Sequence, residues 1–300
     1  MYCMRRLESC QTLACSASCT TWTIELVSVD HYENFPVASI LCPPALRPAI
    51  AAIYHYARTA DDIADEGDAS PAQRLAELAA YRAELLRESD DHAANAPTRW
   101  PQIFDPLRAA QRQHDLPVPL LSDLLSAFEQ DVVKHDYADR GELLDYCRRS
   151  ANPIGRLLLH LYRIDEPTAL RQSDAICTAL QLANFWQDLG VDTRRGRHYI
   201  PASDRARHVD NLPAQLQTMV TWTRELMESG APLAHVIPGR AGWELRLVVQ
   251  GGLRILDKIE ALRFDTRHQR PKLGMFDVAL MLWRALWMRP ASSRMARTAA

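Results

Sequence analysis

The sequence predicts an all-α fold on three observations. Apolar residues recur at three- and four-residue intervals in several segments, the spacing of one helical face. Stretches that alternate apolar and polar residues, as half-buried strands do, are nearly absent. Only eleven glycines occur in 300 residues, few for a sheet protein with many tight turns.

The chain opens with MYCMRRLESCQTLACSASC, which holds four of the seven cysteines (Cys3, Cys10, Cys15 and Cys19) in a spacing that matches no zinc pattern. It has no continuous apolar stretch, so it makes a poor secretory signal. Residues 1–28 are expected to be a disordered extension, or to precede a true start near Val29. Residues 29–290 are expected to form one helical domain, and 291–300 a flexible tail. Cys42, Cys147 and Cys177 sit in apolar contexts and read as small buried hydrophobes, which suits a reducing, cytoplasmic compartment.

The first helix is marked by Ile50, Ile53, Tyr54 and Ala57, and the second by Leu75, Leu78, Ala79, Leu85 and Leu86. Leu120 to Val133, Leu157 to Tyr162 and Ile176 to Leu189 continue the pattern. The proline-bearing stretches 97–106, 117–119 and 201–213 read as connections that break helices. Near the end, GMFDVALMLWRALWMR places Phe276, Leu280, Trp283 and Trp287 near one side, close to Arg284 and Arg289. This segment is too short to span a bilayer and is interrupted by Arg284. It reads as the last core helix, with a membrane-interface helix as the alternative.

Charge is unevenly spread. The formal net charge of -2 argues against a general nucleic-acid binder, which needs a basic surplus. Between Asp61 and Asp91 stand ten acids and three arginines, whereas Arg240 to Ala300 carries twelve Lys or Arg and five acids.

The acids are concentrated in YARTADDIADEGD, residues 56–68. On a helix, Asp61 and Asp65 project from one face, with Asp62 about 100° round and Arg58 bordering them. Gly67 supplies a stop. Negative charge at a helix C-terminus opposes the macrodipole, so the placement costs stability unless a cation compensates. A second constellation, QLANFWQDLGVDTRRGRHYIP, aligns Gln181, Asn184, Asp188 and Asp192 on one stripe of an otherwise apolar helix, followed by Arg194, Arg195 and Arg197. One such pattern arises often on solvated helix faces. Two, each beside arginines, point to a site for hard divalent cations, because magnesium is held by a few carboxylates and completes its shell with waters and phosphate oxygens. Guanidinium groups grip phosphate oxygens with paired hydrogen bonds. Together they imply ionisation of an isoprenoid diphosphate over an apolar cavity.

RTADDIAD and QLANFWQDLGVDTRRGRHYIP resemble the two aspartate-rich signatures of the squalene and phytoene synthase family, whose enzymes join prenyl diphosphates head to head. The resemblance covers roughly Asp30 to Leu286, with a YC element between the signatures. ENFPVAS at 33–39, ANPIGRLLLHLY at 151–162 and AICTALQLANFWQD resemble most the bacterial members that form hydroxysqualene in the three-enzyme hopanoid route to squalene.

The resemblance implies an isoprenoid-synthase-type helical bundle around a central cavity. It implies metal binding by Asp61, Asp62, Asp65, Asn184, Asp188 and Asp192, and diphosphate contact by Arg58, with Gln181 lining the same site. Tyr146 matches a tyrosine near the reacting carbons, where ordinary packing, its hydroxyl satisfied by a neighbour, is the plainer role. Arg195 and Arg197 are expected to assist departure of the diphosphate, and Arg267 and Arg270 are further candidates to reach it.

Two departures refine the expectation. Where many relatives carry a Ser-Lys-Ser-Phe element, this chain has Tyr32, Glu33, Asn34 and Phe35; where many carry Val-Ala-Gly, it has Ala151, Asn152 and Pro153 after Ser150. Proline in that helix should alter its hydrogen bonding. Both suit an enzyme that takes one presqualene diphosphate, ionises it with Mg2+, and lets water capture the rearranged cation as hydroxysqualene. Phe35 and Asn152 then belong to the substrate site, and Asn152 or Glu33 would hold the water. No NAD(P)H is expected. The alternatives are a head-to-head synthase making presqualene diphosphate, squalene or phytoene, and a non-catalytic assembly protein of the same fold. Expected partners are the diphosphate substrate, a membrane surface met peripherally at its inner face, and other enzymes of the pathway, with no nucleic acid.

Overall fold

The computed structural model describes residues 42–87 and 99–288. The expectations for residues 1–28, for Glu33 and Phe35, and for the tail from 291 lie outside the described residues. The described helices belong to one compact unit, Phe35–Ala300.

Eleven α-helices and no strand are found among the described residues: α1 (Arg47–Asp65), α2 (Pro71–Leu86), α3 (Pro101–His114), α4 (Val118–Val133), α5 (Arg140–Ser150), α6 (Asn152–Leu161), α7 (Pro167–Arg194), α8 (Ala202–Arg207), α9 (Leu212–Gly230), α10 (Gly239–Ala261) and α11 (Met275–Leu286). Each apolar series expected to be helical lies in one, α1, α2, α4, α6 and α7, except that Tyr162 falls just past the end of α6.

The prolines behave differently from the expectation. Seven helices (α1, α2, α3, α4, α6, α7 and α9) carry proline in the first turn, where its missing N–H would have had no intrahelical partner. The stretch 97–106 is therefore no simple connection: α3 begins at Pro101 and runs on through Pro106 to His114. In 201–213, Pro201 caps α8 and Pro213 opens α9. Pro153 likewise does not disturb a continuous helix. It starts α6, which is separated from α5 by Ala151 alone.

α1 buries Ile50, Ile53, Tyr56, Ala60 and Ala64 against α2, α3 and α4, in a core with Leu78, Tyr81, Phe104, Leu121 and Leu125. The Tyr56 hydroxyl donates to the Leu121 carbonyl at 3.0 Å, so its buried oxygen is satisfied. The long α7 forms a second core with α5, α9 and α10 around fully buried Trp186, whose indole N–H donates to Thr223 at 2.8 Å. α6 crosses α7 closely at Gly155, where a Cβ would come within 2.3 Å of Ser173 Oγ and 2.6 Å of Cys177 Sγ. Cys42 and Cys147 are buried as expected, whereas Cys177 is half-buried.

The last helix overturns the core expectation. In α11 only Asp277 and Ala285 are buried, while Phe276 is 95% exposed and Trp287, which follows the helix as its cap, 66%. Polar residues hold it to α10: Asp277 accepts from Arg254 at 2.6 Å and Lys258 at 2.5 Å, and Arg284 donates to Asp257 at 2.6 Å.

Candidate active site

The first acidic stripe closes α1. Its helical register carries Arg58, Asp61, Asp62 and Asp65 out of the apolar face and leaves all four half-buried. Gly67, at φ +75°, takes the left-handed conformation that ends the helix. Arg58 serves three carboxylates, with Asp61 at 3.3 Å, Asp62 at 2.7 Å and Glu66 at 3.0 Å. The Asp62 contact is close but not aligned as a hydrogen bond, so buried Asp62 Oδ1 has no hydrogen-bond partner.

The second stripe lies on α7, with Gln181, Asn184, Asp188 and Asp192 all half-buried while Leu182, Phe185, Trp186 and Leu189 are buried. Past α7, Gly196 at φ +77° turns the chain. The strand-like segment that follows is pinned to the α4–α5 connection: His198 N–H donates to His135 O at 2.7 Å, and Ala202 N–H to Tyr137 O at 2.9 Å. This anchoring aims Arg195 and Arg197 back at α1. Both meet Asp65, Arg195 at 3.2 Å and Arg197 through two nitrogens, one of them at 3.2 Å. The stripes therefore converge, as two separate sequence motifs cannot by themselves require.

A third segment completes the cluster. Residues 263–274 run from α10 to α11 across α7, and they fit only because residue 190 is glycine: a Cβ there would lie 2.2 Å from Arg267 O. Gln187 donates to Pro271 O at 2.7 Å, and Arg270 grips both oxygens of Asp188. Of the two extra arginines considered, Arg270 joins the site through a side-chain ion pair and Arg267 meets α7 through its backbone.

Aromatic rings stand beside the acids. Tyr199 stacks on Phe185 with centroids 3.6 Å apart, and Tyr146 lies 6.1 Å from Phe185 and 5.8 Å from Tyr137. The Tyr146 hydroxyl donates to Asp131 at 2.7 Å, which is the neighbour that satisfies it. Asp131 was not anticipated. Its signal in the sequence is one of two acids, with Glu129, in the α4 segment FEQDVV, which no spacing rule separates from surface charge. Asn152 is buried, and its Oδ1 accepts from Thr178 of α7 at 2.9 Å, one turn before Gln181.

Six carboxylates (Asp61, Asp62, Asp65, Asp131, Asp188 and Asp192) thus meet four guanidiniums (Arg58, Arg195, Arg197 and Arg270), and the excess charge is negative. Burial pushes the Asp61 carboxyl up to about 6 against the pull of Arg58, with Asp65 and Asp62 adding to the rise. Burial raises Asp192 to about 6, opposed by Arg197 and Arg195, and Asp131 to about 7, opposed by the Tyr146 hydrogen bond and Arg197. Burial and then Asp192 push Asp188 up to about 7, opposed by Arg195, and the Arg270 guanidinium in direct contact favours its charged form. A cluster that resists its own ionisation is one that an added cation would stabilise.

Among the described residues no three acid, histidine or cysteine side chains close around one point as a protein-only metal cage would. Magnesium does not require such a cage, because it keeps waters and takes phosphate oxygens. Oxygen donors on facing helices and an excess of carboxylate fit that ion. Two cavities among the described residues, of about 590 and 390 Å³, lie away from this cluster, one beside His114 and His160 and the other beside Cys42 and Pro238.

The squalene/phytoene synthase family model matches residues 29–277. The chain is 38% identical over 268 residues to a hydroxysqualene synthase of Sinorhizobium fredii, covering 85% of this chain and 87% of that one. It is 37% identical over 265 residues to a hydroxysqualene synthase of Zymomonas mobilis, covering 82% and 86%. The crystal structure of squalene synthase HpnC from Alicyclobacillus acidocaldarius superposes with a TM-score of 0.69 at 35% identity, covering 79% of this chain and 91% of that one.

Proposed function

Because this chain belongs to the squalene/phytoene synthase family, we propose that it converts presqualene diphosphate and water to hydroxysqualene and diphosphate. The observation that carries the reading is the meeting of the two acidic stripes, with Asp65 of α1 held by Arg195 and Arg197 from the end of α7. The similarity to hydroxysqualene synthases along most of the chain supports the choice of reaction within the family.

The cofactor we propose is Mg2+, held by Asp61, Asp62 and Asp65 from one side and by Asn184, Asp188 and Asp192 from the other. When bound, it supplies positive charge where negative charge develops on the leaving diphosphate. Arg58, Arg195 and Arg197 present N–H groups to the same phosphate oxygens, and Arg270 holds Asp188 in place for that work. Gln181 lines the stripe one turn before Asn184.

The hydrocarbon lies against Tyr146, Phe185 and Tyr199, whose ring faces favour a passing carbocation by about 0.5–2 kcal/mol each. Buried rings also keep stray water from it. One water is admitted and adds to the rearranged cation, its oxygen forming the new C–O bond as a proton leaves. Asn152, fixed to α7 through Thr178, and Glu33, outside the described residues, are the groups we propose to hold that water, with Phe35 near the substrate. No nicotinamide is needed, since the reaction involves no reduction.

No helix among the described residues is long and apolar enough to cross a membrane. We place the enzyme in the cytoplasm, in peripheral contact with the inner membrane face that stores its water-insoluble product.

The test is incubation with presqualene diphosphate and Mg2+ without reductant, followed by mass analysis of the lipid extract. Hydroxysqualene is the expected product. Consumption of farnesyl or geranylgeranyl diphosphate alone, with no alcohol from presqualene diphosphate, would assign the chain to head-to-head coupling instead.

A further inference from the structure

We propose that the outward face of α11 docks on an anionic lipid bilayer. The helix is amphipathic in the inverted sense. Its polar residues Asp277 and Arg284 point into the protein and are consumed by ion pairs with α10. At 100° per residue, the opposite side, about half the circumference, carries Met275, Phe276, Leu282, Trp283, Leu286 and Trp287 with no polar side chain among them. These side chains are exposed: Met275 by 85%, Phe276 by 95% and Trp283 by 59%. A contiguous apolar face of this kind on a protein surface marks something that covers it.

Charge selects the occupant. From Arg263 to Ala300 there are eight Lys or Arg and two acids. Asp277 is paired with Arg254 and Lys258, and among the bases Arg270 is paired with Asp188 and Arg284 with Asp257, so the balance left in this segment is still positive. Anionic headgroups complement that surplus. A second copy of the same face would bring it against itself, basic segment to basic segment. Tryptophan and arginine together on one short helix suit the boundary between acyl chains and headgroups. Twelve residues span about 18 Å, short of the hydrocarbon core, so α11 lies in the plane of the surface.

The placement also serves the site. Arg270 touches Asp188, and α11 begins five residues later, at most about 18 Å along the chain. A bilayer under α11 therefore sits close to the diphosphate cluster, and substrate and product can exchange with it directly. This last point alone rests on the proposed function.

The experiment is flotation of the full-length protein with phosphatidylcholine vesicles that contain or lack phosphatidylglycerol, at low salt. The protein is expected to float with the anionic vesicles, and the triple variant Phe276→Ser, Trp283→Ser, Trp287→Ser to lose at least tenfold of that binding. The variant Trp283→Phe, Trp287→Phe is expected to float still but to lose fluorescence quenching by bromine-labelled acyl chains. Turnover of detergent-dispersed substrate should be the same in wild type and triple variant, which separates this inference from the reaction itself. Failure to float on anionic vesicles, or flotation unchanged in the triple variant, would overturn it. So would a dimer in sedimentation equilibrium that the triple variant dissolves, since the face would then belong to a second copy.

Discussion

Arg197 holds both oxygens of Asp65 across 132 positions of the chain, and this pair ties the end of α7 to the end of α1. The guanidinium lies where two helix C-termini, each carrying acids, approach each other. It offsets charge that both macrodipoles disfavour. Its aim comes from the backbone: Gly196 turns the chain, and His198 and Ala202 are bonded to the α4–α5 connection.

Arg197→Lys keeps the charge but cannot span two oxygens of a carboxylate or a phosphate. Turnover is expected to fall by about a hundredfold, the cost of removing one preorganised donor from a developing anion, with little loss of stability. Steady-state rates alongside a denaturant midpoint check this. An unchanged kcat would remove Arg197 from the diphosphate site.

Gly190→Ala tests the crossing of the 263–274 segment over α7. The added carbon would lie 2.2 Å from Arg267 O, which is backbone and cannot swing away. Overpacking of this kind costs about 1–3 kcal/mol. Activity is expected to drop with stability, because the same displacement takes Arg270 off Asp188. A variant as stable and active as wild type would show that the segment moves freely.

Tyr146→Phe removes the donor that Asp131 accepts at 2.7 Å. Leaving the carboxyl without that bond is expected to cost about 1–3 kcal/mol. Adding Asp131→Leu to Tyr146→Phe should recover part of it, since no buried acceptor is then stranded. Equilibrium unfolding of the two singles and the double gives the coupling, and strictly additive effects would refute the pairing.

The pH dependence follows from the carboxyls held above their ordinary value of 3.8, Asp61 and Asp192 at about 6 and Asp131 at about 7. The folded chain binds more protons there than the unfolded chain. Their contribution to stability is full below 3.8 and is lost as pH rises through 6 to 7. Magnesium with diphosphate should therefore raise the melting temperature more at pH 8 than at pH 5, because at low pH the ion must displace protons. Equal shifts at both pH values in differential scanning calorimetry would argue against cation binding at this cluster.

The stripes were legible because each lies within one helix. A step of three or four residues is enough to place Asp61 beside Asp65, and Asn184 beside Asp188. Asp131 was not legible, since the tyrosine that gives it meaning sits fifteen residues away on α5 and the stripes it faces lie on α1 and α7. The prolines misled for a related reason. Pro101 and Pro213 break a helix if it has already begun and open one if it has not, and the residues alone do not say where the turn starts. α11 was correctly read as an apolar helix and wrongly turned, because Leu280, Trp283 and Trp287 look alike whether they face a core or a solvent boundary.

The amino-acid order by itself determined the helices, the two oxygen-bearing rows and the arginines beside them, all of which follow from the period of 3.6 residues and from side-chain chemistry. Tertiary structure alone decided that Arg197 reaches Asp65, that Arg270 reaches Asp188 and that α11 turns its polar side inward. Those relationships join residues far apart in the chain, and they depend on how helices pack, which no local spacing encodes.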